Sequence, residues 1–146
     1  MSVRDSIEAG DAFQGRRDAS RRGVIGIVAR DGGEYLVVRR AAAVRRGGCW
    51  CFPGGHIERG ENSRVAIIRE MMEELSLPVR PVRRLGAVRL LDSGYVLVVW
   101  LLESLGGCPT ANPDEVAEAR WLTIEGIREL SPTLPSNEEV LAMLER

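Results

Sequence analysis

A chain of 146 residues, 45% apolar and 28% charged, is long enough for one domain with a buried core. Its 20 basic and 21 acidic residues leave a net charge of −1, which excludes a general basic field for nucleic acid or anionic membrane. Every basic residue is arginine. That excludes lysine Schiff-base chemistry and a P-loop lysine, and leaves only arginine as a cationic partner for phosphate. A coding bias towards arginine is the plainer source of this pattern.

In chain order, residues 1–20 are polar, carry Gly10 and Gly15, and are expected to form a flexible N-terminal tail ahead of a domain over 21–146. The stretch mixes acids and arginines without an apolar centre, so no secretory signal is read there. Arg16, Arg17, Arg21 and Arg22 form a small basic cluster, read as a solvated approach to a strand. Gly23 to Ala29 predicts a buried strand, Asp31-Gly32-Gly33 a turn, and Tyr35 to Arg39 the returning strand. Arg39, Arg40, Arg45 and Arg46 follow, then Gly47-Gly48 and the run Trp50-Cys51-Phe52-Pro53-Gly54-Gly55. Trp50 and Phe52 read as core anchors, and Cys49 and Cys51 as small fillers of a strand.

From Asn62 to Leu75 neither Gly nor Pro interrupts a helical pattern. At about 100° per residue, Glu70, Glu73 and Glu74 share one arc. Val65, Ile68, Met72 and Leu75 cluster opposite and are expected to face the core. Val82 to Leu91 and Tyr95 to Glu103 predict two strands joined by Asp92-Ser93-Gly94. Gly106 to Pro113 reads as a loop, Ala119 to Leu122 as a short strand, and Thr123 to Leu130 as a helix. Ser136-Asn137-Glu138-Glu139 has the form of a capping box that opens a last helix. The order implies an α/β arrangement. The longest apolar run, Tyr95 to Leu102, is too short to span a bilayer. Three cysteines and a single histidine point to neither a disulfide framework nor a common zinc site, and a cytoplasmic setting is expected.

Between Gly55 and Leu77 stand five glutamates: Glu58, Glu61, Glu70, Glu73 and Glu74. Like charges three or four residues apart on a helix cost roughly 0.2–0.5 kcal/mol per pair. A solvated acidic face is one explanation; a hard divalent cation such as Mg²⁺ is the other. The full stretch decides between them, because it resembles the signature of the Nudix hydrolases, the MutT family. That signature is Gly, five residues, Glu, seven residues, Arg-Glu, an apolar residue, any residue, Glu-Glu, any residue, Gly, and an apolar residue. Gly55, Glu61, Arg69, Glu70, Met71, Glu73, Glu74 and Leu77 match; Ser76 replaces the second Gly. Outside this stretch and its approach, the likeness is one of pattern.

The resemblance implies the Nudix fold, a mixed β-sheet sandwiched between α-helices. It also implies a Mg²⁺-dependent hydrolase, with Mn²⁺ able to substitute, that cleaves a nucleoside diphosphate linked to another moiety by water attack on phosphorus. By resemblance Glu73 and Glu74 ligate the metal, Glu70 is a further ligand or the general base, and Arg69 orients Glu70. The Gly54 carbonyl supplies another metal oxygen. The base lies in a downstream loop in some relatives, where Asp114, Glu115 and Glu118 stand here; Glu115 is favoured, against a solvated loop acid. Arg39 is a candidate phosphate contact. His56 is read as structural or solvent-facing. Tyr95, 18 residues past Leu77, matches a spacing that marks diadenosine polyphosphate hydrolases. A nucleoside triphosphate, normal or oxidised, ranks first as substrate, giving monophosphate and pyrophosphate. Dinucleoside polyphosphates and then ADP-sugars follow. A non-catalytic nucleotide-sensing module is the reading of another class, disfavoured because the box carboxylates are intact. No DNA-binding module or membrane partner is expected, and the enzyme should act as a monomer or homodimer. Ser76 is expected to adopt a left-handed backbone just past the helix, costing a little stability and leaving the metal site intact.

Overall fold

The computed structural model describes residues 21–91 and 93–146. The expected tail over 1–20, half of the basic cluster, and Asp92 of the turn lie outside the described residues. The elements in order are β1 (Arg22–Arg30), β2 (Glu34–Arg40), β3 (Trp50–Cys51), β4 (Gly54–His56) and α1 (Ser63–Leu75). They continue with β5 (Val79–Arg89), β6 (Val96–Ser104), β7 (Val116–Thr123), α2 (Ile124–Arg128) and α3 (Asn137–Leu144).

The sheet is mixed. β1 runs parallel to β6 and antiparallel to β2 and β4; β5 pairs antiparallel with β6, and β7 with β2. Its central order is β3-β2-β1-β6-β5. β1 is apolar on both faces because both are covered. Val24 and Val28 join Ala66, Ile67, Met71 and Leu75 of α1 in one core, whereas Ile25 and Ile27 join Ile127, Val140 and Leu141 of α2 and α3 in the other. Helices on both sides of one mixed sheet are the arrangement expected.

Four local expectations need correction. The face of α1 that packs on the sheet is Ala66, Ile67, Met71 and Leu75, with Ile68 partly buried against the same core; Val65 and Met72, expected inside, are about half exposed. Simple amphipathicity fails because Glu70 and Glu74 lie on the buried side, leaving apolar residues to face solvent. β7 is longer than expected, since it pairs along β2 from Glu34 to Arg40. α2 is shorter, closed after Arg128 with Thr123 capping Gly126 N–H. Ser136 makes no side-chain capping bond; its backbone is already helical there (φ −67°, ψ −16°), which is not the extended geometry a capping box needs.

α1 itself begins as the sequence implies. Asn62 is extended and its carboxamide oxygen accepts from Val65 N–H, 2.9 Å. It ends at Ser76, left-handed at φ 50° and ψ 35°, whose N–H donates to the carbonyls of Met71 and Met72. Trp50 and Phe52 are core anchors, 5% and 3% exposed, and Cys51 is a buried filler of β3.

Candidate active site

Arg69 is the hub of the acidic stretch. Its Nε and Nη2 donate to the two oxygens of Glu61 at 2.7 and 2.8 Å, a bidentate pair. Nη1 donates to Glu70 at 3.0 Å and Glu73 at 3.1 Å, and Nη2 to the His56 carbonyl at 2.9 Å. Glu58 lies 3.7 Å away. Glu61 is fixed further by Glu58 N–H, and the guanidinium holds its carboxyl below the usual range. One arginine thus ties the loop before α1 to the first and second acids of the helix.

Glu70 and Glu74 are the unusual groups. Both are essentially inaccessible, at 0% and 1% exposure. Glu70 gives one oxygen to Arg69, while Oε1 has no hydrogen-bond partner. Burial pushes its carboxyl up to about 8, against the opposing pull of Arg69. Glu74 accepts from Gly54 N–H at 3.2 Å, and burial, with Glu70 and Glu115 nearby, raises its carboxyl well above normal. Gly55 makes room for Glu70, and Gly54 for the backbone of β1. A Cβ at Gly55 would meet the Glu70 carboxylate at 2.3–2.5 Å, and one at Gly54 would meet the Val24 carbonyl oxygen at 2.0 Å. Gly55 has no room for a side chain if Glu70 is to sit against β4, and Gly54 has none against β1.

The loop before β7 reaches the site through the last turn of α1, whose carbonyls have no helical partners. Thr110 N–H donates to Leu75 O at 2.7 Å and Asn112 N–H to Glu74 O at 2.8 Å. Asn112 Nδ2 contacts both Glu73 O and Glu115 Oε2 at 3.4 Å. That docking sets Glu115 within electrostatic reach of Glu70 and Glu74. Asp114 stays exposed in the loop. Glu118 is taken by Arg39 and Arg120, at 2.9 and 2.7 Å.

Strand alternation separates the two candidate arginines of β2. Val38 pairs with Cys51 on the α1 face, so Arg39, opposite Trp50, lies on the other face, held by Glu118. Its neighbour Arg40 is on the α1 side, 2% exposed. Arg40 Nε donates to Arg45 O at 2.9 Å, yet Nη1 and Nη2 have no hydrogen-bond partner. Its charge acts on both Cys51 and Glu74; burial still pushes the Cys51 thiol up to about 12. Sequence reading passed over Arg40, although the alternation from Val38 carried the signal.

Tyr95 is 3% exposed and its phenol lies 3.0 Å from His56 Nδ1, the two rings stacked. Burial lowers the imidazole and raises the phenol. Tyr95 lines two adjoining hollows. One, about 40 Å³, runs along Gly54, Gly55, Phe52 and Asn137. The other, about 390 Å³, opens between β5, β6 and the start of α3. Tyr95, Leu97, Leu134 and Ser136 line both, so the two adjoin; neither is lined by Glu70, Glu73 or Glu74. Asn137 was read only as part of a cap; it is buried and donates to Trp50 O at 3.3 Å.

Among the described residues, no three His, Cys, Asp or Glu side chains form a ready group for a metal ion. The donor set nonetheless fits a hard cation: oxygens only, two buried carboxylates, and an unpartnered Glu70 oxygen. Mg²⁺ keeps several waters and takes one or two carboxylates with substrate phosphates, so a closed protein cage is not required.

Comparison with known proteins agrees with this geometry. The model of the NUDIX domain matches residues 19–144. The 8-oxo-dGTP diphosphatase of Escherichia coli K12 is 30% identical over 84% of this chain and 94% of its own length. The ADP-ribose pyrophosphatase of Methanocaldococcus jannaschii is 30% identical over 74% of this chain and 64% of its own. In fold, the chain is similar to a MutT NUDIX hydrolase from Burkholderia pseudomallei, with TM-score 0.75, 24% identity, and 84% and 96% of the two chains covered. No helix among the described residues is long and apolar enough to cross a membrane. With Glu61, Glu70 and Glu73 of the signature gathered around Arg69 and the match running through nearly the whole chain, the protein belongs to the Nudix family, hydrolases of phosphoric anhydrides in nucleoside diphosphate-linked compounds.

Proposed function

We propose that the protein is a Mg²⁺-dependent nucleoside triphosphate pyrophosphohydrolase, releasing a monophosphate and pyrophosphate from a normal or oxidised nucleotide. The observation that carries the metal-dependent chemistry is the pair of buried glutamates, with one Glu70 oxygen left unpartnered and the nearest arginine already committed. A buried carboxyl pair must be neutralised by protons or offset by cations, and a divalent ion meets that need when both are ionised. The nucleotide class is supported by the relative from Escherichia coli, matched over 94% of its length and bearing the name 8-oxo-dGTP diphosphatase.

Glu70, Glu73 and Glu74 would hold the metal, with the Gly54 carbonyl as a further oxygen. A bound divalent cation supplies charge neutralisation on the diphosphate and a more acidic water. The chain's own residues do the rest. Arg69 fixes the carboxylate of Glu70 through the 3.0 Å bond and ties it to Glu61. Arg40 offsets part of the buried negative charge beside Glu74. Glu115, half-buried and contacted by Asn112, is the acceptor for the proton of the attacking water. Tyr95, stacked on His56, forms the wall over which the nucleoside leaves the carboxylates. Arg39, held by Glu118 on the far face, takes no part in this reading.

The test is product analysis on a panel of nucleoside triphosphates, their oxidised forms, diadenosine polyphosphates and ADP-ribose, with Mg²⁺ or Mn²⁺. Monophosphate and pyrophosphate from a triphosphate, lost in Glu74→Gln, is the expected result. Turnover confined to ADP-ribose, the substrate named for the relative from Methanocaldococcus jannaschii, would replace the triphosphate reading. Metal binding without turnover across the panel would favour a nucleotide-sensing module.

A further inference from the structure

Asn112 stands between the carboxylate helix and the loop that carries Glu115. Its main chain already joins the two. Asn112 N–H donates to Glu74 O at 2.8 Å, and its carbonyl accepts from Glu115 N–H at 3.0 Å and Val116 N–H at 2.8 Å. Ala41 N–H donates to the Glu115 carbonyl at 2.9 Å, so the backbone of Glu115 is held on both sides. The side chain of Asn112 does something these bonds do not. Its Oδ1 accepts from Asp114 N–H at 3.2 Å, while Nδ2 faces Glu73 O and Glu115 Oε2, each at 3.4 Å. A carboxamide accepts at one end and donates at the other. Here the accepting end meets an N–H and the amino group meets two acceptors, so all three partners agree on one orientation. One amino group thereby spans from the backbone of α1 to the carboxylate of Glu115.

A turn that only closes the loop needs the accepting oxygen alone, and aspartate would serve it as well as asparagine. Asparagine adds two donors. An aspartate at this position would turn a carboxylate towards Glu115 and towards the Glu73 carbonyl, acceptor against acceptor. Resting on the reading of Glu115 as proton acceptor, we propose that Asn112 is a positioning residue of the hydrolysis: its amino group holds the Glu115 carboxylate at a set place relative to Glu73 and Glu74. A base works only within hydrogen-bond reach of the proton it takes, and an error of about 1 Å costs on the order of 10² in rate. Glu115 sits on a loop, the least fixed part of a fold, and this amide ties its carboxylate to a helix.

Asn112→Asp, Glu115→Gln and the double variant test this on a nucleotide that the wild type hydrolyses. Asn112→Asp keeps the acceptor for Asp114 N–H and loses both donors. Its kcat should fall about tenfold to a hundredfold, with KM within about twofold of wild type. In the Glu115→Gln background the same change should cost nothing further, because the group it positions is gone. Melting in EDTA reads the contact without turnover. Asn112→Asp should lower Tm, and adding Glu115→Gln should restore part of it, since an amide at 115 can donate to a carboxylate at 112. Wild-type kcat in Asn112→Asp would leave Asn112 a turn residue and overturn the proposal. So would an equal loss in both backgrounds, a rise in KM at constant kcat, or melting shifts that simply add in the double variant. Full kcat in Glu115→Gln would instead remove the reading of Glu115 itself, and this inference with it.

Discussion

The carboxylate cluster of α1 and the hollow beside β5 and α3 are built on opposite principles. At the carboxylate end, Arg69 contacts Glu61, Glu70, Glu73 and a backbone carbonyl within 3.1 Å, and the main-chain amide of Gly54 meets Glu74. At the far end, Arg46, Arg89 and Glu139 are exposed and unengaged among the described residues. The first is preorganised, as groups that act on developing charge need to be. Hydrogen bonds within the protein fix the first group, whereas the second keeps its donors and acceptors open to solvent.

Removing a carboxylate at the rigid end gives the largest expected effect. Glu74→Gln should lower kcat by about 10³ or more, since metal stabilisation of the reaction is worth several kcal/mol. The same change relieves a buried charge, so the metal-free variant should melt above the wild type. Unchanged turnover in Glu74→Gln would remove Glu74 from the metal set. Glu115→Gln should cost about 10²–10⁴ in kcat if Glu115 takes the proton. A pH–rate profile whose acid limb persists in that variant would pass the role to Glu70.

Buried charge also sets a pH dependence that distinguishes this end from the other. Glu70, raised to about 8, and Glu74, raised as well, bind protons in the folded state over a range where the unfolded chain has released them. Their contribution is fully present below about 4.5 and is lost as pH rises towards about 8. His56 acts in the opposite sense, since burial lowers it, but it is one partly buried group against two enclosed carboxylates. The metal-free protein should therefore melt lower at pH 8 than at pH 5. Glu70→Gln should flatten the slope, and Mg²⁺ should raise the melting temperature most at high pH, where it meets ionised carboxylates. A melting temperature that rises from pH 5 to pH 8 without metal would contradict the burial of these groups.

The same contrast explains what could be read from sequence. The carboxylate end was legible because its parts are local: Gly55, Glu61, Arg69, Glu70, Glu73 and Glu74 lie within one turn-and-helix unit whose spacing is fixed by covalent geometry. The far end gathers Arg46, Arg89, Tyr95 and Glu139 from segments joined only by sheet pairing and the packing of α3, and no periodicity links them. The fold class followed from element order. The buried face of α1 did not, because amphipathic patterning assumes that charges face water. Here the site reverses that rule at Glu70 and Glu74 and leaves Val65 and Met72 outside. Arg39 and Arg40 show the same limit at single-residue scale: adjacent in sequence, they fall on opposite faces of β2.

The smallest expected effect lies at the one departure from the signature. Ser76 holds φ 50°, where a side chain is crowded by roughly 1–2 kcal/mol, and its N–H still closes the last turn of α1. Ser76→Gly relieves that crowding, yet glycine also loosens the unfolded chain by about 0.5–1 kcal/mol. The difference should be a gain below about 1 kcal/mol, which is less than about 2–4 °C in Tm. Catalysis should not move with it. Glu73 and Glu74 are fixed at their carboxylates by Arg69 on α1 and Gly54 on β4, and at their carbonyls by Asn112, and none of these contacts passes through the Ser76 side chain. A several-fold rise in kcat for Ser76→Gly would mean that the helix terminus, rather than the arginine hub, sets the position of the carboxylates.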